Sequence, residues 1–333
     1  LDVERVEILK GPQGTLFGQN ATGGAINYIA AKPTDSFKFG VDASWARFNA
    51  TKVEGFVSGP ISSTFKARLA ASIEQGGAWQ RSDTRGEELG DKNIKKVRLL
   101  LDWQPTERLK LSVNLNGWTD NSETQAAAMG GVALQFPGNA ALVPLIVNQP
   151  IAPHNSRIAD WTPGTRPHND QDFYQGSLRL DYDVSDALQL TYLGTYQHYK
   201  QQDLLSFTGT QTVSDGVLGA TVKSTSHELR LSGKVLDNKL MWLIGGYYAK
   251  DKDDEFNFNR TSGLSTAYSL VGLPGVTQPL QAVKAVMTQD IETKAIFGNL
   301  EFHILDTLSI HAGARYTNTQ NAHTGCTQAP DAI

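Results

Sequence analysis

Residues 2–34 read DVERVEILKGPQGTLFGQNATGGAINYIAAKPT, and the reading of this stretch decides the fold. Val3, Val6 and Ile8 mark a short strand that runs into Gly11, Gly14, Gly18, Gly23 and Gly24. A second apolar run, Ala25–Ala30, follows, and Pro33 closes the unit. Glycines this dense imply tight turns and close backbone approach, because glycine takes positive φ without steric cost. A phosphate-cradling loop does not match. Lys10 precedes Gly11, where a Gly-Lys-Ser/Thr ending would be needed, and the Ile-Asn-Tyr-Ile after the glycines is strand-like rather than helical.

Outward from this stretch, from Phe37 on, apolar and polar residues alternate with period two. In Arg108–Asp120, Leu109, Leu111, Val113 and Leu115 oppose Lys110, Ser112, Asn114 and Asn116. Successive strand side chains point to opposite faces, so the pattern predicts a sheet that is apolar on one side only. The same test predicts strands over Phe37–Phe48, Thr51–Pro60, Phe65–Gly76, Asn93–Gln104, Phe173–Val184 and Ala187–Gln201. It continues over Ser224–Val235, Asn238–Lys250, Asp290–Ile304 and Thr307–Thr319, for about eleven strands in all. Tight turns join one end: Pro60–Thr64, Pro105–Glu107, Val184–Asp186, Leu236–Asp237 and Leu305–Asp306. Long polar segments join the other: Gly77–Lys92, Asn121–Asp170, Asp203–Lys223 and Asp251–Gln289. Short turns at one end and long loops at the other are the layout of a membrane barrel.

Composition is compatible with that reading. The 333 residues carry a formal net charge of −4 and no basic stripe, which argues against nucleic acid as a partner. No run of eighteen apolar residues exists to form a membrane helix, but a barrel strand needs only about 9–11 residues. Ten tyrosines and six tryptophans suit aromatic girdles at the two membrane interfaces, with Trp45, Trp103, Trp118, Tyr196, Tyr248 and Tyr316 among the candidates. Leu1 opens inside a strand-like unit and Gly325–Ile333 read as loop, so both ends are expected to be cuts within a longer protein, with no signal peptide in view. Cys326, the lone cysteine, is either an inert thiol or half of a bridge whose partner lies elsewhere.

The polar side of the predicted sheet includes Arg68, Arg98, Glu228, Arg230, Lys294 and Arg315. In a dry core each unpaired charge would cost several kcal/mol, whereas a wet lumen or a polar plug accommodates them. No catalytic set emerges. The seven histidines show no metal-ligand spacing, no Cys-x-x-Cys occurs, and neither a metal nor a cofactor is expected. Ser226, His227 and Glu228 are adjacent on one strand, so His227 faces away from the other two and the three form no triad. The acidic run Asp251–Glu255 lacks the central glycine of a calcium loop and reads as solvated loop. Within the long loop Asn121–Asp170, His154, Trp161, Arg166 and His168 are the candidates for touching a ligand.

Val3-Glu4-Arg5-Val6-Glu7-Ile8-Leu9-Lys10-Gly11-Pro12, Leu16-Phe17-Gly18 and Gly23-Gly24-Ala25-Ile26-Asn27 together resemble the end of the plug domain of TonB-dependent outer-membrane receptors. The resemblance implies residues 1–35 as the C-terminal part of a small α/β plug and residues 36–333 as the first half of a transmembrane, antiparallel, up-and-down β-barrel of 22 strands. It implies Gly11, Pro12, Gly14, Gly18, Gly23 and Gly24 as plug turns. Glu4, Arg5, Glu7 and Lys10 become candidates to meet Arg68, Arg98, Glu228 and Arg230 on the barrel wall. The implied function is active import across the Gram-negative outer membrane, foremost of a ferric siderophore, with vitamin B12, haem or an oligosaccharide as alternative cargo. The implied partners are the TonB–ExbB–ExbD complex, acting on the full-length parent, the lipid bilayer and lipopolysaccharide. A passive porin is the rival, since it would share the strands but would have no use for residues 2–34. An outer-membrane enzyme or adhesin has less support.

Overall fold

In the computed structural model the described residues are 1–11, 23–131, 148, 150–153, 155–207, 209, 214–261, 282–305 and 307–328. Pro12, Gly14, Gly18 and His154 lie outside them. The chain opens with an antiparallel pair, β1 (Val3–Lys10) and β2 (Gly24–Ala30), in register from Lys10↔Gly24 to Val3↔Ala30. Glycine is required at the top of this pair. Gly24 has φ +131°, and a Cβ there would stand 2.2 Å from the Leu9 carbonyl oxygen. Gly11, at φ +82°, donates its N–H to the Gly23 carbonyl at 3.3 Å.

An eleven-stranded sheet follows, antiparallel between every pair of neighbours. Its strands are β3 (Lys38–Ala46), β4 (Ala50–Pro60), β5 (Phe65–Gly76), β8 (Lys92–Thr106), β9 (Leu109–Asp120) and β11 (Gln171–Ser185). They continue with β12 (Leu188–Ser206), β13 (Ser214–Val235), β14 (Leu240–Thr261), β15 (Ala282–Leu305) and β16 (Leu308–Gln328). Spatial order follows chain order from β3 at one edge to β16 at the other, the up-and-down arrangement. Three short strands, β6 (Gln80–Ser82), β7 (Glu88–Leu89) and β10 (Ile158–Ala159), form a separate sheet in the long loops.

The sheet is inverted relative to a soluble protein. One face exposes Leu69, Ile73, Val97, Leu115, Leu229, Ile244, Ile296 and Leu300, while the other buries Arg68, Ser72 and Thr191. Apolar residues outward and polar residues inward is the requirement for strands between lipid and an aqueous lumen. The same face carries Asp181, Thr191, Arg230, Phe297 and Arg315 in a cross-strand row, with the Arg315 guanidinium 5.1 Å from the centre of the Phe297 ring.

Several expectations are corrected. Lys294 faces outward, since it pairs across with Tyr248 and neighbours Ile296 on the lipid-facing side. Trp118 faces the lumen rather than a girdle: it sits opposite Phe173 and stacks on it. Among the described residues, the segments expected as loops over Asp203–Lys223 and Asp251–Gln289 are largely strand, and Asp251–Glu255 lies inside β14. Cys326 is in β16 opposite Val286, exposed, rather than in a loop.

The reason is strand length. At about 3.3 Å per residue, the 22 residues of β14 run roughly 70 Å, far beyond the ~25 Å apolar band of a barrel. Beyond that band neither face needs to be apolar, so alternation stops while pairing continues. Lys252 and Asp254 pair with each other there, 3.4 Å apart.

Candidate functional site

The β1–β2 hairpin is seated on the polar face by its first residues. Asp2, immediately before β1, has φ +54°, a left-handed conformation that Asp tolerates better than most residues. That bend delivers its carboxylate to Arg68, whose Nε and Nη2 each donate to it at 2.6 Å. The two side chains are 7% and 11% exposed for Arg68 and Asp2. Arg68 also lies 3.8 Å from the centre of the Phe56 ring, which holds the guanidinium plane. From β8, Arg98 Nη1 donates to the Leu1 carbonyl at 2.6 Å. Behind the hairpin, Thr34 donates its N–H to Ser58 Oγ at 2.9 Å, and Ser58 is 2% exposed. Asp35 pairs with Lys66, whose hydrogen bond and positive charge hold this solvent-facing carboxyl below the usual carboxylate range.

Of the residues expected at this junction, Arg68 and Arg98 are in it. Glu4, Arg5 and Glu7 form their own exposed cluster, with Arg5 bonded to Glu4 at 3.0 Å and to Glu7 at 2.8 Å. Lys10 ends β1 opposite Gly24. Glu228 and Arg230 pair with each other on the β13 wall. The hairpin therefore meets the wall through Asp2 and the Leu1 main chain rather than through its Glu-Arg-x-Glu run. In an extended strand the long side chains of that run satisfy one another at i, i+1 and i, i+2, whereas Asp2 stands at the bend.

Above the strands the described parts of the loops after β5 and β9 pack into one layer. Leu89, Ala126, Ala159 and Trp161 make its small core, and Trp161 is 1% exposed. Asp160, 5% exposed, accepts from Ser82 Oγ at 2.5 Å and from Thr84 Oγ1 at 3.0 Å. Arg85 donates to the Trp161 carbonyl at 2.9 Å and stands 5.4 Å from the Trp161 ring centre. Gln80 clamps Ala126 from both sides, accepting its N–H at 2.8 Å and donating to its carbonyl at 3.0 Å. A cavity of about 1060 Å³ opens in this layer, lined among others by Arg81, Arg85, Glu87, Asp91, Trp161 and Arg166.

Trp161 is thus a packing residue rather than an open stacking surface. Arg166 is exposed, and its Nε donates to Glu123 at 2.5 Å. Glu123 also accepts the Gly90 N–H at 2.9 Å, so it ties two loops together. His168 is anchored by its main chain to Leu204 of β12, in both directions at 3.0 and 2.9 Å. Sequence reasoning missed Asp2 and Glu123. Asp2 heads the quoted stretch and carried a signal by position, whereas Glu123 carried none.

Lower on the polar face, Trp118, Phe173 and Tyr199 stand directly across from one another on β9, β11 and β12. Trp118 stacks on Phe173 with centroids 5.9 Å apart and a 22° interplanar angle, and meets Tyr199 at 6.0 Å. No group of side chains among the described residues has the make-up of a metal site.

An open, inverted, up-and-down antiparallel sheet with long strands and one layer of long loops defines a piece of an outer-membrane β-barrel. The chain belongs to the family described as TonB dependent receptor-like, beta-barrel, whose model matches residues 102–327, about two thirds of the chain. Among curated proteins it is similar to the iron-regulated outer membrane virulence protein of Vibrio cholerae, 28% identical over 122 residues, which are 34% of this chain and 18% of that protein. It is also similar to the pesticin receptor of Yersinia pestis, 31% identical over 113 residues, 32% of this chain and 17% of that protein. Among solved structures, the ferric yersiniabactin uptake receptor of Yersinia pestis superposes with a TM-score of 0.71 at 15% identity, over 98% of this chain and 46% of that one. The open form of the ferric-catecholate import receptor of E. coli K12 gives 0.67 at 16% identity, over 97% and 50%. The chain therefore spans about half the length of these solved receptors, and its matched part less than a fifth of the curated relatives. Its place is the outer membrane, which the name of the Vibrio cholerae relative states and the family's barrel fits.

Proposed function

We propose that residues 1–35 are the end of a plug, that residues 36–333 are the first half of the barrel it closes, and that the parent protein imports a scarce small molecule. The cargo we assign is a ferric siderophore, and the energy comes from the TonB–ExbB–ExbD complex pulling on the plug. The observation that carries this reading is the hairpin seat. A passive channel has no use for a separate hairpin held on its lumenal wall by a buried bidentate ion pair, whereas an importer needs an obstruction that is stable and removable. The names of the relatives, an iron-regulated outer membrane protein and receptors for ferric yersiniabactin and ferric catecholates, point the same way. The outward apolar face meets lipid and, in the outer leaflet, lipopolysaccharide. The described residues hold the ligand and let it pass, and chemical conversion of the cargo is no part of the reading.

The test is uptake of radiolabelled iron, supplied as a panel of ferric siderophores, by cells that carry the full-length parent as their one receptor. Uptake should stop when the TonB partner is deleted or the parent's energy-coupling segment is removed. Equal uptake with and without coupling would establish a passive channel and sink the proposal. Energy-dependent uptake of vitamin B12, haem or an oligosaccharide, with none of ferric siderophores, would keep import and replace the cargo.

A further inference from the structure

The row Trp118, Phe173 and Tyr199 is out of place in the wall that carries it. The inward positions of these strands are otherwise mostly polar: Asn116 and Gln175 lie one inward step below, and Gln171 and Gln201 one step above. Three rings on three consecutive strands form one continuous aromatic surface. Each ring is only half-buried, so the surface is not a sealed core. It lies toward the loop end of the strands, two residues from the end of β9 and two from the start of β11, where a ligand held by the loops would first meet the wall.

We propose that this surface is a stacking platform for a planar aromatic ring carried by the ligand. The proposal rests on the import reading above and adds the chemical class of the cargo, an iron complex whose chelating arms bear aryl groups. The alternative occupant of an aromatic platform is a sugar ring, which needs free hydrogen-bonding groups beside the rings to take its hydroxyls. Here each of the flanking side chains already bonds a neighbour. Gln171 Nε2 and Gln201 Nε2 both donate to Asp203 Oδ2, at 2.7 and 2.6 Å. The Tyr199 hydroxyl donates to Gln201 Oε1 at 3.0 Å, and Asn116 Nδ2 to Gln175 Oε1 at 2.9 Å. What this region presents as a continuous surface is the ring faces, and offset stacking of another aromatic ring uses those faces alone.

The experiment compares two neutral probes that differ only in the ring, ferric tris(benzohydroxamate) and ferric tris(acetohydroxamate), by equilibrium dialysis against the purified full-length parent. The benzohydroxamate complex is expected to bind roughly 2- to 12-fold more tightly, the worth of one good aromatic contact. That advantage should vanish in Trp118→Leu and in Phe173→Leu, and should survive in Trp118→Phe, which keeps a ring and guards against a folding defect. Equal binding of the two probes, or an advantage untouched in both leucine variants, overturns the platform. Saturable binding of maltotriose that Trp118→Leu abolishes would also overturn it, in favour of a sugar. The outcomes separate from those of the uptake test. Energy-dependent uptake without an aryl advantage removes the platform and keeps the importer, while an aryl advantage with coupling-independent uptake does the reverse.

Discussion

Replacing Asp2 with alanine should release the N-terminal hairpin from the wall. The carboxylate receives two charge-assisted hydrogen bonds of 2.6 Å from Arg68, in a place where both side chains are about nine-tenths buried. Removing one partner of such a pair strands the other charge, which costs about 3–5 kcal/mol. The Phe56 ring face, 3.8 Å from the guanidinium carbon, returns part of this, on the order of 1 kcal/mol. What remains shifts the hairpin's docking equilibrium by roughly 30- to 1000-fold. The assay is amide hydrogen exchange of the full-length parent in detergent, read over residues 1–10 and 24–30, the segments that hold the hairpin strands. Asp2→Ala should accelerate exchange there while the central strands stay protected. The double variant Asp2→Ala/Arg68→Met should recover most of the protection, because the stranded charge is gone and its volume is kept. Hairpin exchange in Asp2→Ala within about twofold of wild type, or a double variant worse than the single, would refute the reasoning.

Other perturbations test other parts of the structure. Gly24→Ala places a methyl group 2.2 Å from the Leu9 carbonyl at φ +131° and should cost about 1–3 kcal/mol, seen as hairpin exchange faster than in wild type with wall strands unchanged. Trp161→Ala empties the loop core beside Leu89 and Ala159 and should loosen the loop layer by about 3–5 kcal/mol, read as rapid protease nicking within residues 77–91 and 150–170. The Asp35 carboxyl is held low by Lys66, so its folded pKa lies below its unfolded one. The stability it supplies is full above the ordinary carboxylate range and is lost as pH falls through the depressed folded value. Asp35→Asn should therefore differ slightly from wild type in melting temperature at pH 6 and converge with it at strongly acid pH. Cys326 lies eighteen residues past the start of β16, roughly 60 Å along the strand and beyond the apolar band, so a membrane-impermeant maleimide should label it on intact cells carrying the parent. Labelling only after reduction would show instead that a disulfide partner lies elsewhere in the parent.

How much of this was legible beforehand follows from which physical constraint acts on each residue. Between lipid and water a strand must alternate, so Leu109–Asp120 was readable in both extent and orientation, and its inward Ser112, Asn114 and Asn116 stand where alternation put them. Above the membrane the constraint lapses. Ser214–Lys223 pairs with Lys252–Thr261 through the backbone ladder, with the Asp215–Arg260 ion pair across it, and no apolar–polar alternation marked those residues as strand. Lys294 failed differently. It has a strand neighbour of each character, Thr293 and Ala295, so its polarity suggested the lumen while its register set it outward beside Ile296 and Tyr248. Register is a property of the whole ladder, counted from strands whose orientation is unambiguous, and a single lysine near a membrane boundary cannot report it. The same logic governs the site. Arg68 was visible because an arginine on the inward face of a strand needs a partner, but which partner depended on a left-handed bend at Asp2 that the sequence marks only weakly. Of the aromatic row, the sequence singled out Trp118 alone, as a girdle ring, and gave Phe173 and Tyr199 no role. Only the pairing of Trp118 with Phe173 and of Phe173 with Tyr199 makes them one surface, and that surface turns a description of a wall into a claim about its cargo.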